Sequence, residues 1–232
     1  MSNLPGTTSQ TLHVTTFQDL VSAPFENGIN AIGWIRTLSG DFSGIVERLK
    51  GNEGITLVDE HDLLQLQLNE RGQLAREILL DDLRLLKAFG ASPSLNIIRR
   101  YERDDSFPFF PVDVYSFHVD RAPVPTDTFL CTYYGAASEI LPNEHAEQKI
   151  LIPEIRQELK KLYDGPDDHF TSFLGDHFFD LHYRAKAKAT PISLGLGHLW
   201  RLAVDHPECK VPPCIHRAPQ EQPGQYRLLM IC

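Results

Sequence analysis

This chain is short of positive charge. It carries 22 Lys and Arg against 31 Asp and Glu, a net charge of −9 over 232 residues. That balance argues against binding nucleic-acid backbones or anionic membrane surfaces. Long apolar runs are missing too, and none approaches the roughly 20 residues of a membrane span. The first ten residues, Met1 to Gln10, are polar, with no basic start followed by an apolar stretch. No signal peptide is expected from them, and fraying is. Cysteine is scarce: Cys131, Cys209, Cys214 and Cys232 are scattered with no Cys-x-x-Cys pair. A zinc cluster is disfavoured, and reduced thiols in a cytoplasmic protein are the expectation. There is no internal repeat, low-complexity tract or clear linker. An apolar content of 42% and a charged content of 23% are those of a globular protein able to build a full core as a single domain.

The hydrophobic period changes near residue 94. Before it the pattern is mixed and mostly helical. Phe17–Ser22 predicts a short helix, and Asn30–Arg36 a strand from its β-branched and aromatic content. Phe42–Lys50 has apolar residues in helical register with Gly51 as a stop. The strongest helix is Glu70–Phe89, where Leu74, Ile78, Leu79, Leu83, Leu85 and Leu86 predict an apolar stripe and Gly90 ends it. From Ser94 the pattern is strand-like: Leu95–Tyr101, Val114–Asp120, Thr128–Tyr134, Ile192–Leu202, Pro213–Pro219 and Gln225–Ile231. Ile152–Tyr163 predicts a helix with Pro153 near its start, and 166–189 reads as helix and loop placed between strands and over any site there. The fold class is α+β, with residues 1–93 mostly helical and packed on a sheet-rich part of 94–232 that carries an insertion at about 144–189.

The chemistry concentrates in that second part. His118-x-Asp120 lies in one strand pattern, His216 in another, and Arg227 eleven residues beyond His216 in the next. Two histidines and a carboxylate can occupy one face of a metal and leave the opposite face open, the ligand set that suits non-haem Fe(II). His-x-Asp alone is a weak motif, and His145-x-Glu147 and His206-x-Glu208 rival it. Neither rival sits in a strand pattern or has an arginine at the matching offset. His169, His177 and His182 lack the spacing of a zinc pair on one helical face and read as exposed or satisfied histidines. Arg227 precedes the apolar run Leu228–Ile231, so its charge is expected in a buried strand, where it needs a partner. A ligand carboxylate fits a guanidinium through paired hydrogen bonds.

These residues resemble the Fe(II)/2-oxoglutarate-dependent oxygenases over roughly 94–232. The resemblance implies a double-stranded β-helix (jelly-roll or cupin-like) core. It puts iron on His118, Asp120 and His216, and the far carboxylate of 2-oxoglutarate on Arg227. Gly197-His198-Leu199-Trp200 is similar to the glycine-led strand before the distal histidine, and Gly224 to the tight turn before the last core strand. One departure stands out. Many members have serine two positions after the arginine, and here that position is Leu229. A second contact to the cosubstrate is then expected from Thr132 or Tyr133. The segment Cys131–Gly135 with Glu139–Pro142 is also similar to an uncharacterised bacterial family, which adds no function.

The implied activity consumes O2 and 2-oxoglutarate, releases succinate and carbon dioxide, and oxidises a C–H bond by hydroxylation, desaturation or ring closure. The expected substrate is a small molecule such as an amino acid or specialised metabolite. Arg99, Arg100 and Arg121 are candidates to hold its carboxylate, and Tyr101 and Trp200 are candidate pocket walls. Two alternatives stay open: a metal-binding or regulatory barrel without turnover, and a cupin-type metalloenzyme that does not use 2-oxoglutarate.

Overall fold

The computed structural model describes residues 10–51, 54–104, 106–220, 222 and 224–232. It is a mixed α+β fold built on two sheets, one of them a curled half-barrel. The major sheet has seven strands in the order β1-β2-β11-β6-β13-β4-β3. Its strands are β1 (Thr11–Val14), β2 (Ala31–Trp34), β3 (Ile55–Val58), β4 (Ser94–Ile98), β6 (Asp127–Tyr134), β11 (Leu199–Ala203) and β13 (Arg227–Ile231). All neighbours are antiparallel except β1 and β2. The minor sheet has the order β10-β7-β12-β5-β9-β8. Its strands are short: β5 (Phe117–His118), β7 (Glu139–Ile140), β8 (Ala146–Gln148), β9 (His182–Ala185), β10 (Ile192–Ser193) and β12 (His216–Arg217).

Strand alternation gives the major sheet two distinct faces. On β13, Leu228 and Met230 point one way, into a core shared with the helices. Leu229 points the other way, into a second cluster with Leu130, Trp200, Leu202 and the minor-sheet residue Ile140. The helices cover the first face: α1 (Phe17–Ser22), α2 (Phe42–Leu49), α3 (Glu60–Gln65) and α4 (Glu70–Phe89). Side-chain caps start them. Asp41 accepts from the Gly44 amide and Asn69 from the Gly72 amide, each at 2.8 Å, and Asp59 with Asp62 forms a capping box. Gly90, at φ +100°, ends α4 in the left-handed conformation that glycine adopts without strain.

The predicted stripe of α4 is shifted by the packing. Leu79, Leu83 and Leu86 are buried, but Leu74 is 41% exposed and Leu85 lies half out. Ala75, Leu80 and Asp82 take the buried face instead. Asp82 is buried because its carboxylate takes a bidentate pair from Arg36, with Nη1 to Oδ1 at 2.7 Å and Nη2 to Oδ2, and a hydrogen bond from the Tyr133 hydroxyl at 2.6 Å. A hydropathy pattern sees only the charge, not its partners.

Three further differences follow from tertiary pairing. The first 93 residues hold the four helices α1–α4 packed on the major sheet, and besides β2, expected at Asn30–Arg36, they also supply β1 and β3 to that sheet. The fraying expected of Met1–Gln10 falls, up to residue 9, outside the described residues. Gln10 itself is buried, and its carbonyl accepts from the amides of Asn30 and Ala31. The single strand expected at Ile192–Leu202 is two, β10 and β11, in different sheets. Gly195 and Gly197 turn the chain between them at φ +73° and +76°. The insertion at 144–189 holds two helices, α5 (Pro153–Lys160) and α6 (Phe170–Asp176), and also strands β8 and β9, which widen the minor sheet. Its aromatic residues form their own cluster around Phe110 and Phe179. Among the described residues, no helix is long and apolar enough to cross a membrane.

Candidate metal centre

Strand β5 lies between β12 and β9, and His118 pairs in register with His216 on one side and His182 on the other. Residues in register on neighbouring strands project from the same face, so three imidazoles share it. The ring centroids of His118 and His216 are 4.5 Å apart. Asp120 lies two residues past His118, beyond the short strand, where the amide of Asp205 donates to its carbonyl at 2.8 Å. Its Oδ1 is 3.9 Å from His118 Nε2 and its Oδ2 is 3.6 Å from His216 Nε2. The three ligand atoms lie within 4.8 Å of one another.

The surroundings prepare each group as a ligand. His118 Nδ1 is 2.8 Å from the Ser116 carbonyl and His216 Nδ1 is 3.1 Å from the Cys214 carbonyl. A carbonyl can only accept, so both Nδ1 atoms carry a proton, and both Nε2 atoms are turned toward Asp120. Burial pushes the His118 imidazolium down to about 4, and the neighbouring His216 adds to the effect. His118 is therefore neutral at pH 7, as a ligand must be. Burial opposes the charge on Asp120, but His216, the Thr128 hydroxyl and His118 outweigh it and hold its carboxyl below the usual range. Thr128 donates to Oδ2. A metal about 2.1 Å from each atom would draw the three to about 3.0 Å apart, a contraction within reach of side-chain adjustment. The donor set, its protonation and its spacing fit a divalent metal.

The triad opens into a cavity of about 340 Å3 between the sheets, in the size range of small-molecule sites. Its major-sheet wall is mainly apolar, with Ile98, Leu130, Leu229 and Ile231, and Asn96 and Ser94 are the polar groups there. Tyr101 and Ser138 also line it. Both hydroxyls receive hydrogen bonds from Arg227, Tyr101 from Nη1 at 3.3 Å and Ser138 from Nη2 at 3.0 Å. Arg227 is buried at 6% exposure, and its Nε donates to the Ala136 carbonyl at 2.7 Å. It can sit there because Gly135, at φ +84°, has no side chain. A Cβ at Gly135 would lie 2.3 Å from the Tyr226 carbonyl oxygen and 3.0 Å from Arg227 Cα.

The remaining sequence candidates divide by sheet face and by distance from this cavity. Thr132 faces Arg227, with its hydroxyl 3.5 Å from Nη2. Tyr133 points to the opposite face, where it is fully buried, stacks on Phe42 and donates to Asp82. It does not reach the cavity, because neighbours on one strand alternate sides. Trp200 is on the cavity side of β11 but packs into the core between the sheets, with its Nε1 donating to the Leu194 carbonyl at 2.7 Å. Arg99 and Arg100 are exposed past the end of β4. Arg121 is held by Asp180 at 2.7 Å and Asp205 at 2.8 Å, away from the cavity lining. His145 and Glu147 are each engaged elsewhere, His145 near Glu144 and Glu147 with Arg184.

Sequence reasoning did not single out Ser138, Asn96, Ser94 or Arg217. Only Arg217 carried a signal, as the neighbour of His216. It lines the cavity while both its Nε and Nη2 are bonded to Glu139 Oε2, at 2.8 and 2.7 Å. His182 is buried beyond His118, with Nδ1 3.2 Å from the Ser116 hydroxyl and its ring against Phe110. Burial, then His118, pushes its imidazolium down to about 3. It is a satisfied histidine outside the ligand group. No protein-family model, curated protein or solved structure matches this chain.

Proposed function

We propose that this chain is a non-haem Fe(II)/2-oxoglutarate-dependent oxygenase with a double-stranded β-helix core, acting on a C–H bond of a small molecule. The observation that carries the reading is the convergence of His118 Nε2, His216 Nε2 and the Asp120 carboxylate, with both Nδ1 atoms tied to backbone carbonyls, at a cavity of substrate size. Three protein ligands on one side leave room for exogenous ones on the other. Iron held there would supply the oxygen-activating chemistry, coupled to decarboxylation of 2-oxoglutarate to succinate.

The chain's own residues do the rest. The Ser116 and Cys214 carbonyls fix the imidazole tautomers, and Thr128 orients the Asp120 carboxylate so that one oxygen stays available. Arg227 provides the buried cation for the cosubstrate's far carboxylate. Ser138, Thr132 and Tyr101, already within its reach, supply the hydroxyl that Leu229 cannot. Leu130, Leu229 and Ile231 exclude water from the reacting side.

One observation favours a second reading, a metalloprotein of the same architecture that does not use 2-oxoglutarate. The Arg227 guanidinium is held by the Ala136 carbonyl and the Tyr101, Thr132 and Ser138 hydroxyls, and among the described residues lining the cavity it reaches Tyr101 and Ser138 rather than lining the cavity itself. Anaerobic titration of the purified protein with Fe(II) and then 2-oxoglutarate separates the two. The oxygenase reading expects stoichiometric iron, a weak visible charge-transfer band on adding 2-oxoglutarate, and succinate release on admitting oxygen. His118→Ala, Asp120→Ala and His216→Ala should each lose stoichiometric iron while remaining folded. Iron binding without the band or succinate selects the second reading. Parent-like iron binding by all three variants rejects both.

A further inference from the structure

We propose that the substrate received by this cavity is an uncharged, largely apolar molecule that presents one hydrogen-bond donor to Asn96 and lies along the open β3–β4 side of the major sheet. The inference rests on the proposed function for what is done to this molecule, but its binding chemistry follows from the cavity alone.

The register of the major sheet draws the floor. Ile55 pairs with Ile98, and Leu57 with Asn96. Across β4, Asn96 pairs with Leu229 and Ser94 with Ile231, and Ile231 pairs in turn with Leu130 on β6. These residues share the face that looks at the metal ligands, so the floor is a continuous apolar strip with Asn96 and Ser94 set into it. Burial deepens inward. Leu229 and Leu130 are each 3% exposed, whereas Ile55 is 44% and Leu57 65% exposed. β3 is the last strand of its sheet, and apolar side chains on an outermost strand are ordinarily selected against. A strip of this kind that runs from a closed metal site out to an exposed edge is the mark of a ligand groove.

The charge distribution rules on the ligand. Apart from the metal ligands, the only charged side chain among the described residues lining the cavity is Arg217. Its guanidinium is already bound to Glu139 and rests 4.2 Å over the Phe117 ring. A substrate carboxylate or phosphate would have to displace Glu139 or stay unpaired on an apolar wall, and both are costly. Arg99, Arg100 and Arg121, the sequence candidates for an anionic substrate, do not line the cavity. Arg227 aligns with Ile98, at the opposite end of the floor from Ile231 and Ser94.

Asn96 sets the polar contact. The Ser94 hydroxyl donates to the Ile231 carbonyl at 3.3 Å, so its oxygen is free to accept the Asn96 amide N–H at 3.0 Å. That chain fixes the amide orientation and leaves Asn96 Oδ1 as an acceptor with no partner among the described residues. A substrate N–H or O–H completes it.

The test uses two dyes with one skeleton. N-phenyl-1-naphthylamine is neutral and carries an N–H, and 8-anilino-1-naphthalenesulfonate adds a negative charge. Fluorescence titration of the metal-free protein should give one saturable site for the neutral dye and at least tenfold weaker binding of the sulfonate. Ile55→Asp should weaken the neutral dye at least tenfold, and Asn96→Leu several-fold. Thr56→Asp, with the same charge on the same strand but on the opposite face, should leave its affinity within twofold. Equal or tighter binding of the sulfonate overturns the proposal. So does the absence of a saturable site, or binding indifferent to Ile55→Asp. No metal is present in these titrations, so their failure is distinct from failure of the Fe(II) and 2-oxoglutarate experiment.

Discussion

Arg227 concentrates the chemical question in one side chain. A buried guanidinium needs acceptors around it, and here they are a carbonyl and hydroxyls, of which the hydroxyls can also donate to a carboxylate. Arg227→Ala should leave Fe(II) affinity nearly intact and weaken 2-oxoglutarate by about 2–3 kcal/mol, the scale of a lost charge-assisted hydrogen-bonded partner. Arg227→Lys should recover only part, because a point charge cannot reproduce the planar fork. Ser138→Ala should show a smaller loss, and Tyr133→Phe none, since Tyr133 faces the helices. Anaerobic calorimetry with the Mn(II) protein measures all four. A loss for Tyr133→Phe larger than that for Ser138→Ala would overturn this assignment of the second contact.

At the scale of elements, α4 and the β6–β13 pair carry the stability of the site wall. Leu79 is fully buried on α4, so Leu79→Asp places an unpaired charge in the core and should unfold or aggregate the protein. A soluble variant with an unchanged melting temperature would refute the core assignment. Asp82→Asn is subtler. It keeps the shape but leaves Arg36, whose pKa is raised by its bonds to Asp82 against the effect of burial, without its counter-charge. Breaking a buried pair of this kind costs about 3–5 kcal/mol, read as a fall in denaturation midpoint. Between β6 and β13, Gly135 meets the Tyr226 carbonyl so closely that Gly135→Ala must move one of the two strands. Lowered thermal stability together with weakened 2-oxoglutarate binding is the expected pair of effects, because Arg227 follows Tyr226 directly.

For the molecule as a whole, the buried histidines set the response to acid. His118 and His182 have folded pKa values of about 4 and about 3, below the roughly 6.5 of an unfolded histidine. Between those limits the unfolded chain binds more protons than the folded one, so stability falls as pH is lowered. Each histidine contributes at most about 1.4 kcal/mol per pH unit in that window. Asp120 acts in the same direction at lower pH, since its folded carboxyl is depressed and its stabilisation is lost as it protonates. The melting temperature of the metal-free protein should therefore drop from pH 7 to pH 4.5, and His182→Gln should flatten the slope. A flat profile would mean that these imidazoles are not held neutral by the fold.

The sequence by itself determined the elements whose cause is local. The Asn69 cap, the apolar period and Gly90 delimit α4 at Glu70–Phe89, as predicted. β-branched and aromatic runs placed β2, β4, β6 and β13. It also singled out His118, Asp120 and His216, because ligand chemistry restricts the residue types, and the fold brings these three within 4.8 Å. What it left open depends on partners distant in the chain. β1, β3 and β9 become strands because a neighbouring strand takes up their backbone groups, and four-residue segments carry little pattern of their own. Asp82 is buried because Arg36 and Tyr133 come to it. Tyr133 and Thr132 are adjacent in sequence, yet only the sheet's orientation decides that Thr132 meets Arg227 and Tyr133 meets the helices. Ser138 and Asn96 carry no motif: Asn96 enters the cavity through its register on β4, and Ser138 from the residue just before β7, where it meets Arg227. Residue chemistry is written along the chain, whereas the choice of face and neighbour belongs to the two sheets and the way their strands pair.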